Sequence, residues 1–235
     1  MMQNPARHFK WGRLIAANFV IYVLETISYF FVGSYFGKLW GVDKTWNLQL
    51  GVDRIMPWIT ELFPYYMAWP YVWFIAVPVL LFWALGRQAV AKYVAVSLLM
   101  YVIASVIYAV FPTTTTELDF INGTIQTLPH SAPFYENINR LAHNSANVWG
   151  SWPSYHNFWA SMLVLFPLMS KGFNFKKALI VVMGLVISLA TFTLHQHALA
   201  DAVLTYVMTF GFLKLVMYYK WDTQLLDWLS KPDLV

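Results

Sequence analysis

Apolar residues gather in long runs along this chain, separated by short polar breaks. A helix needs about 20 apolar residues to cross a hydrocarbon core of about 30 Å. The first run predicts a helix over 14–37, carrying one charge, Glu25, which could line a pathway. Residues 38–54 are polar and aromatic and read as interfacial. Pro57–Gly86 is apolar but holds Pro57, Pro64, Pro70 and Pro78, so a helix is expected only from about 70 to 86, after a broken turn. Further helices are predicted over 92–111, 154–170, 178–194 and 198–219, and at about 17 residues 154–170 is short for a span. The stretch 112–153 is too polar to cross a bilayer, and a polar tail covers 220–235. The pattern therefore predicts one membrane domain over 1–235. It would be an all-α integral membrane protein with six transmembrane helices and a cap between helices 3 and 4.

Composition points the same way. Hydrophobic residues make up 59% and charged residues only 11%, where soluble domains carry about 25% charged residues. So few charges could hardly cover a water-facing surface, which argues against a soluble enzyme and against disorder. The net charge of +4 is scattered rather than striped, so no nucleic-acid partner is expected. The chain has no cysteine, which excludes disulfides, thiolate metal sites and cysteine nucleophiles. The apolar run after the basic N-terminal flank exceeds a signal-peptide core, so it is expected to remain as a helix.

The charges orient the bundle. Arg7, Lys10 and Arg13 precede the first run, Arg87 and Lys92 follow the second, Lys171, Lys176 and Lys177 follow the fourth, and Lys214 and Lys220 close the sixth. Six spans with both termini cytoplasmic place all of these on the positive inner side. The 112–153 loop, with Glu117, Asp119 and Glu136 against Arg140, then falls outside.

Candidate chemistry lies at two outer helix ends. Ser151-Trp152-Pro153-Ser154-Tyr155-His156-Asn157 opens the fourth helix. Serine there caps free N–H groups, and a helix N-terminus attracts anions, so His156 would sit beside a bound phosphate. Thr191-Phe192-Thr193-Leu194-His195-Gln196-His197-Ala198-Leu199-Ala200-Asp201 joins the fifth helix to the sixth. His197 and Asp201, four apart, share a helix face, and a carboxylate on one imidazole nitrogen makes the other a better nucleophile or base. An ionisable pair at a membrane helix end is a functional hypothesis by default. His130 and His143 read as surface or packing residues, Thr113–Thr116 as loop, and the Trp and Tyr residues near helix ends as interfacial belts. His195 with His197, and with His156, Asp201 or Glu117, also admits a metal site, weakened because residues two apart point to different sides of a helix.

These residues resemble the type 2 phosphatidic acid phosphatase superfamily, six-span lipid phosphatases and phosphotransferases with the motifs K-x6-R-P, P-S-x-H and S-R-x5-H-x3-D. Pro153-Ser154-Tyr155-His156 matches the second motif and His197-x3-Asp201 the core of the third. The branch that includes inositol phosphorylceramide synthase-like proteins is the most similar, through Thr191–Val203 and through Asp53-Arg54-Ile55-Met56-Pro57-Trp58. Two departures stand out. The Ser-Arg pair of the third motif falls on Ala190-Thr191, and where the first motif belongs the chain reads Phe111-Pro112-Thr113-Thr114-Thr115-Thr116-Glu117, with no cation.

The resemblance implies metal-independent catalysis without a cofactor. His197 would be the nucleophile, Asp201 would orient it, and His156 would be the general acid. Ser154, Thr191 and His195 would contact phosphate oxygens, with Arg140 or protonated His195 replacing the missing cations, and Tyr155 and Asn157 completing the substrate-binding set. The substrate would be a lipid phosphate or phosphodiester, met at the outer face of a membrane, with a bacterial inner membrane expected. The alternatives are a catalytically degenerate lipid-binding or transport protein of the same fold, and a metal-dependent enzyme using His195 and His197.

Overall fold

The computed structural model describes residues 9–41, 44, 46–48, 50–57, 59–62, 65–66, 73–114, 152–194 and 197–230. These form seven helices. They are α1 (Trp11–Trp40, with a π-helical stretch at Ile27–Gly33), α2 (Trp73–Leu85), α3 (Arg87–Val110), α4 (Tyr155–Leu168), α5 (Phe175–Thr193), α6 (Leu199–Tyr218) and α7 (Trp221–Ser230). Two 3-10 turns, Gly51–Ile55 and Thr60–Leu62, lie between α1 and α2. Strands β1 (Trp46–Asn47) and β2 (Thr113–Thr114) form a two-residue parallel bridge.

The expected six-span bundle is not what forms. Among the described residues, four helices are long and apolar enough to cross a membrane: α1, α3, α5 and α6. With 13 and 14 residues, α2 and α4 reach only about 20 Å at a rise of about 1.5 Å per residue. Helix ends explain the difference. The apolar run that suggested a span over 154–170 is closed by Ser154 as N-cap and Met169 as C-cap. Short apolar helices belong in a protein core rather than across lipid, and every residue of α4 from Tyr155 to Val164 is buried.

α4 packs against α2, α5 and α6, while α3 gathers α1, α2, α6 and α7. The most extensive neighbour of α4 is α5, and Gly184 sets that contact. A Cβ at Gly184 would lie 2.7 Å from the Ala160 carbonyl oxygen and 2.8 Å from Val164 Cγ2. α1 presents Leu14, Asn18, Ile21, Glu25 and Ser28 inward at helical spacing, with Ile15, Phe19 and Phe31 exposed on the other side. Val182 on α5 and Val207 on α6 are likewise exposed, as lipid-facing positions are. Glu25, read from the sequence as a possible pathway residue, is buried and accepts a hydrogen bond from Tyr101 Oη at 2.7 Å.

The bundle has two unlike ends. Trp40 Nε1 donates to the Ala109 carbonyl, and Thr113 Oγ1 accepts from Trp152 N at 2.7 Å. The C-terminal ends of α1 and α3 therefore meet the start of α4, the end of α5 and the start of α6. At the opposite end Lys10 N donates to the Leu229 carbonyl and Gln88 Nε2 to Asp222. There the N-termini of α1 and α3, the α4–α5 turn and α7 come together.

Candidate functional site

Ser154 builds the first half of the site. Its backbone is extended and its Oγ accepts from Asn157 N, the N-cap geometry that its sequence position predicts. Asn157 Nδ2 donates to Ser154 Oγ at 3.0 Å and to Thr191 Oγ1 at 3.2 Å. Thr191 Oγ1 donates in turn to the Ser188 carbonyl at 2.7 Å. Ser154 N donates to Thr205 Oγ1, whose hydroxyl donates to the Asp201 carbonyl at 2.6 Å. A buried chain of hydroxyls and one amide thus locks the starts of α4 and α6 to the end of α5.

His156 and His197 face each other across this frame, with ring centroids 5.7 Å apart. His197 N donates to the Thr191 carbonyl, and His197 Nδ1 stands 3.5 Å from Asp201 Oδ2. That separation exceeds a hydrogen bond. Asp201 is fully buried, and its Oδ2 accepts from Ala198 N at 3.2 Å, as an acid at the third helical position does when it closes a helix start. Burial, reinforced by His197 beside it, holds His156 well below the usual imidazole range. His156 is thereby held toward its neutral form.

The residues singled out from the sequence separate into groups. Ser154, His156, Asn157, Thr191, His197 and Asp201 come together. Tyr155 turns the other way: its hydroxyl donates to Ser28 Oγ at 2.5 Å and its ring packs edge-on to Tyr101. His195 and Arg140 lie outside the described residues, as do most of the cap and the loop threonines beyond Thr114. Thr113 serves the backbone at Trp152. Among the described residues no three His, Cys, Asp or Glu side chains gather as metal ligands.

Thr205, Tyr66 and Asp53 escaped the sequence reading. Tyr66 lies flat on His156, with centroids 4.0 Å apart and planes 13° from parallel. Asp53 is buried and bridges two backbones. Its Oδ2 accepts from Leu50 N at 2.6 Å, and its Oδ1 accepts from Leu199 N at 2.8 Å, in the first turn of α6. Ile59 N also donates to the Thr193 carbonyl. Asp53, Ile59 and Tyr66 thus fasten this segment onto the helix ends that carry His156, His197 and Asp201. The resemblance at Asp53–Trp58 marked this segment without a role for Asp53, and nothing in the sequence distinguishes Tyr66 from an interfacial aromatic.

Compared with protein-family models, curated proteins and solved structures, the chain matches none.

Proposed function

We propose that this membrane-associated protein is a metal-independent lipid phosphatase or phosphotransferase of the type 2 phosphatidic acid phosphatase kind. The observation that carries the reading is the meeting of His156, His197 and Asp201 beside the capped start of α4, from segments about 40 residues apart. In this mechanism Asp201 holds the Nδ1–H of His197, leaving Nε2 to attack phosphorus. The bond to the lipid oxygen breaks, and His156 delivers a proton to that oxygen. Burial favours neutral His156, so in this mechanism it gains its proton together with the anionic substrate. Ser154 and the first N–H groups of α4 stabilise charge on the phosphoryl oxygens. Water or a lipid hydroxyl then attacks the phosphohistidine, and His156 takes back the proton.

The charge distribution favours an extracytoplasmic site. Among the described residues, Lys10, Arg13, Arg87, Lys92, Lys171, Lys176, Lys177, Lys214 and Lys220 belong to the end away from the histidines, against Lys38, Lys44 and Arg54 at the histidine end, an excess expected of a cytoplasmic face. A bacterial inner membrane remains our expectation for the compartment. A second reading, a lipid-binding protein without turnover, is favoured by Ala190-Thr191 where the family carries Ser-Arg: the Thr191 hydroxyl donates to Ser188 rather than offering a cation.

The test is phosphate release or headgroup transfer in detergent–lipid micelles with EDTA present. Phosphatidic acid, phosphatidylglycerol phosphate, undecaprenyl pyrophosphate and a phosphodiester lipid form the panel. Turnover by the wild type and none by His197→Ala is the expected result. Absence of turnover on every lipid favours the binding reading.

A further inference from the structure

A cavity lies at the far end of the bundle from the histidines. It measures about 380 Å³, and its polar lining includes Gln88, Lys92, Lys171, Asn174 and Lys177. Its apolar lining includes Leu85, Phe166, Met169, Leu213 and Met217. Its volume is within the usual ligand-site range of about 300–1,000 Å³. Met169 caps the end of α4 and His156 sits in its first turn, so about 20 Å of helix separates the cavity from the histidines.

The cationic lining is built from several elements. Lys177 is buried, and its ammonium donates to the carbonyls of Lys171 and Gly172. Two of its three N–H groups are thereby used, and its charge is fixed at the wall. Lys92 rests 3.5 Å from the Met217 sulfur, a weak acceptor that does little for an ammonium ion. Gln88 and Ala89 lie in the first turn of α3, and Asn174 caps α5. Neither helix has an acidic residue in its first turn, where one would ordinarily offset the dipole. Among the described residues no carboxylate lines the cavity, and Asp222 accepts from the Gln88 amide at 2.6 Å.

We propose that this cavity binds the phosphate-bearing headgroup of an anionic lipid, separately from the histidine site. The lysines take the phosphate, and an acyl chain lies along the Leu85, Phe166 and Leu213 wall. Basic pockets between membrane helices on a positively charged face recognise such headgroups.

Thermal unfolding of the full chain in neutral detergent provides the test. Short-chain phosphatidylglycerol, short-chain phosphatidylcholine and inorganic phosphate are titrated in parallel. Phosphatidylglycerol is expected to raise the midpoint of the wild type and of His197→Ala alike, with phosphatidylcholine ineffective. Replacing Lys92→Gln and Lys171→Gln together is expected to weaken that effect about tenfold or more. Amine labelling of the wild type supplies a readout that needs no variant: phosphatidylglycerol should protect Lys92 and Lys171 and leave Lys38 at the other end reactive. Equal stabilisation by inorganic phosphate would overturn the lipid and assign the site to free phosphate. Binding that ignores the lysine changes, binding lost in His197→Ala, or unprotected Lys92 and Lys171 would overturn the site itself.

Discussion

Replacing Asp53 with alanine tests whether the segment between α1 and α2 holds the site together. The buried carboxylate accepts two hydrogen bonds, from Leu50 N at 2.6 Å and Leu199 N at 2.8 Å. Bonds to a charged acceptor contribute about 1.5–3 kcal/mol each, and water replaces part of each when the side chain is removed. A loss of about 2–4 kcal/mol follows, or roughly 4–16 °C in unfolding midpoint for a chain of this size. Asp53→Asn keeps one acceptor oxygen and should lose about half as much. Activity should suffer beyond stability. Leu199 stands two residues after His197, and a shift of about 1 Å at a reacting group costs on the order of a hundredfold in rate. Thermal unfolding in detergent, paired with turnover measured well below the midpoint, separates the two effects. The fall should be in kcat, with the pH profile retained, because no titrating group of the mechanism is removed. If Asp53→Ala melts and turns over like the wild type, the latch is not what positions His197.

Three further expectations follow from individual contacts. Gly184→Ala places a Cβ 2.7 Å from a backbone oxygen that cannot swing aside. It should cost about 1–3 kcal/mol in thermal unfolding, and a neutral effect would mean that α4 and α5 are not in close contact. The depressed His156 makes stability pH-dependent. Near pH 6.5 and below, the unfolded chain takes up a proton that the folded site refuses, so stability is full above about pH 6.5 and falls as pH drops toward the lower folded value. His156→Gln should flatten that slope in melting curves from pH 5 to 7, and an unchanged slope would assign it elsewhere. Tyr66→Ala exposes the face of His156 now covered by the phenol. It should shift the acid limb of the pH–rate profile more than it shifts the midpoint, whereas a purely structural role would move the midpoint alone.

The sequence displayed the frame of the candidate site because its signals are local. Ser154 as a cap with Asn157 three residues on, and His197 four before Asp201, can be read from spacing alone. Asp53 and Tyr66 could not be read this way. Asp53 meets Leu199 across 146 positions, and Tyr66 reaches His156 through a chain path that no periodicity encodes. The spans were overcounted for a related reason. Hydrophobicity measures how apolar a run is and not where its helix stops, so the capped, buried α4 looked like a lipid-crossing helix. Tyr155 shows the same limit at one residue: its place in Pro153-Ser154-Tyr155-His156 suggested substrate contact, and its hydroxyl turns into the bundle toward Ser28.

The most direct test of the central claim is to trap the covalent intermediate. The protein would be mixed with its preferred lipid phosphate in the presence of EDTA, quenched at a pH that preserves phosphohistidine, and mapped by peptide mass spectrometry. The account predicts a phosphorus-bearing adduct on His197 that is absent from His197→Ala and accumulates when His156 is replaced by glutamine and the second step slows. Turnover that persists in His197→Ala, or an adduct on any other residue, would contradict it.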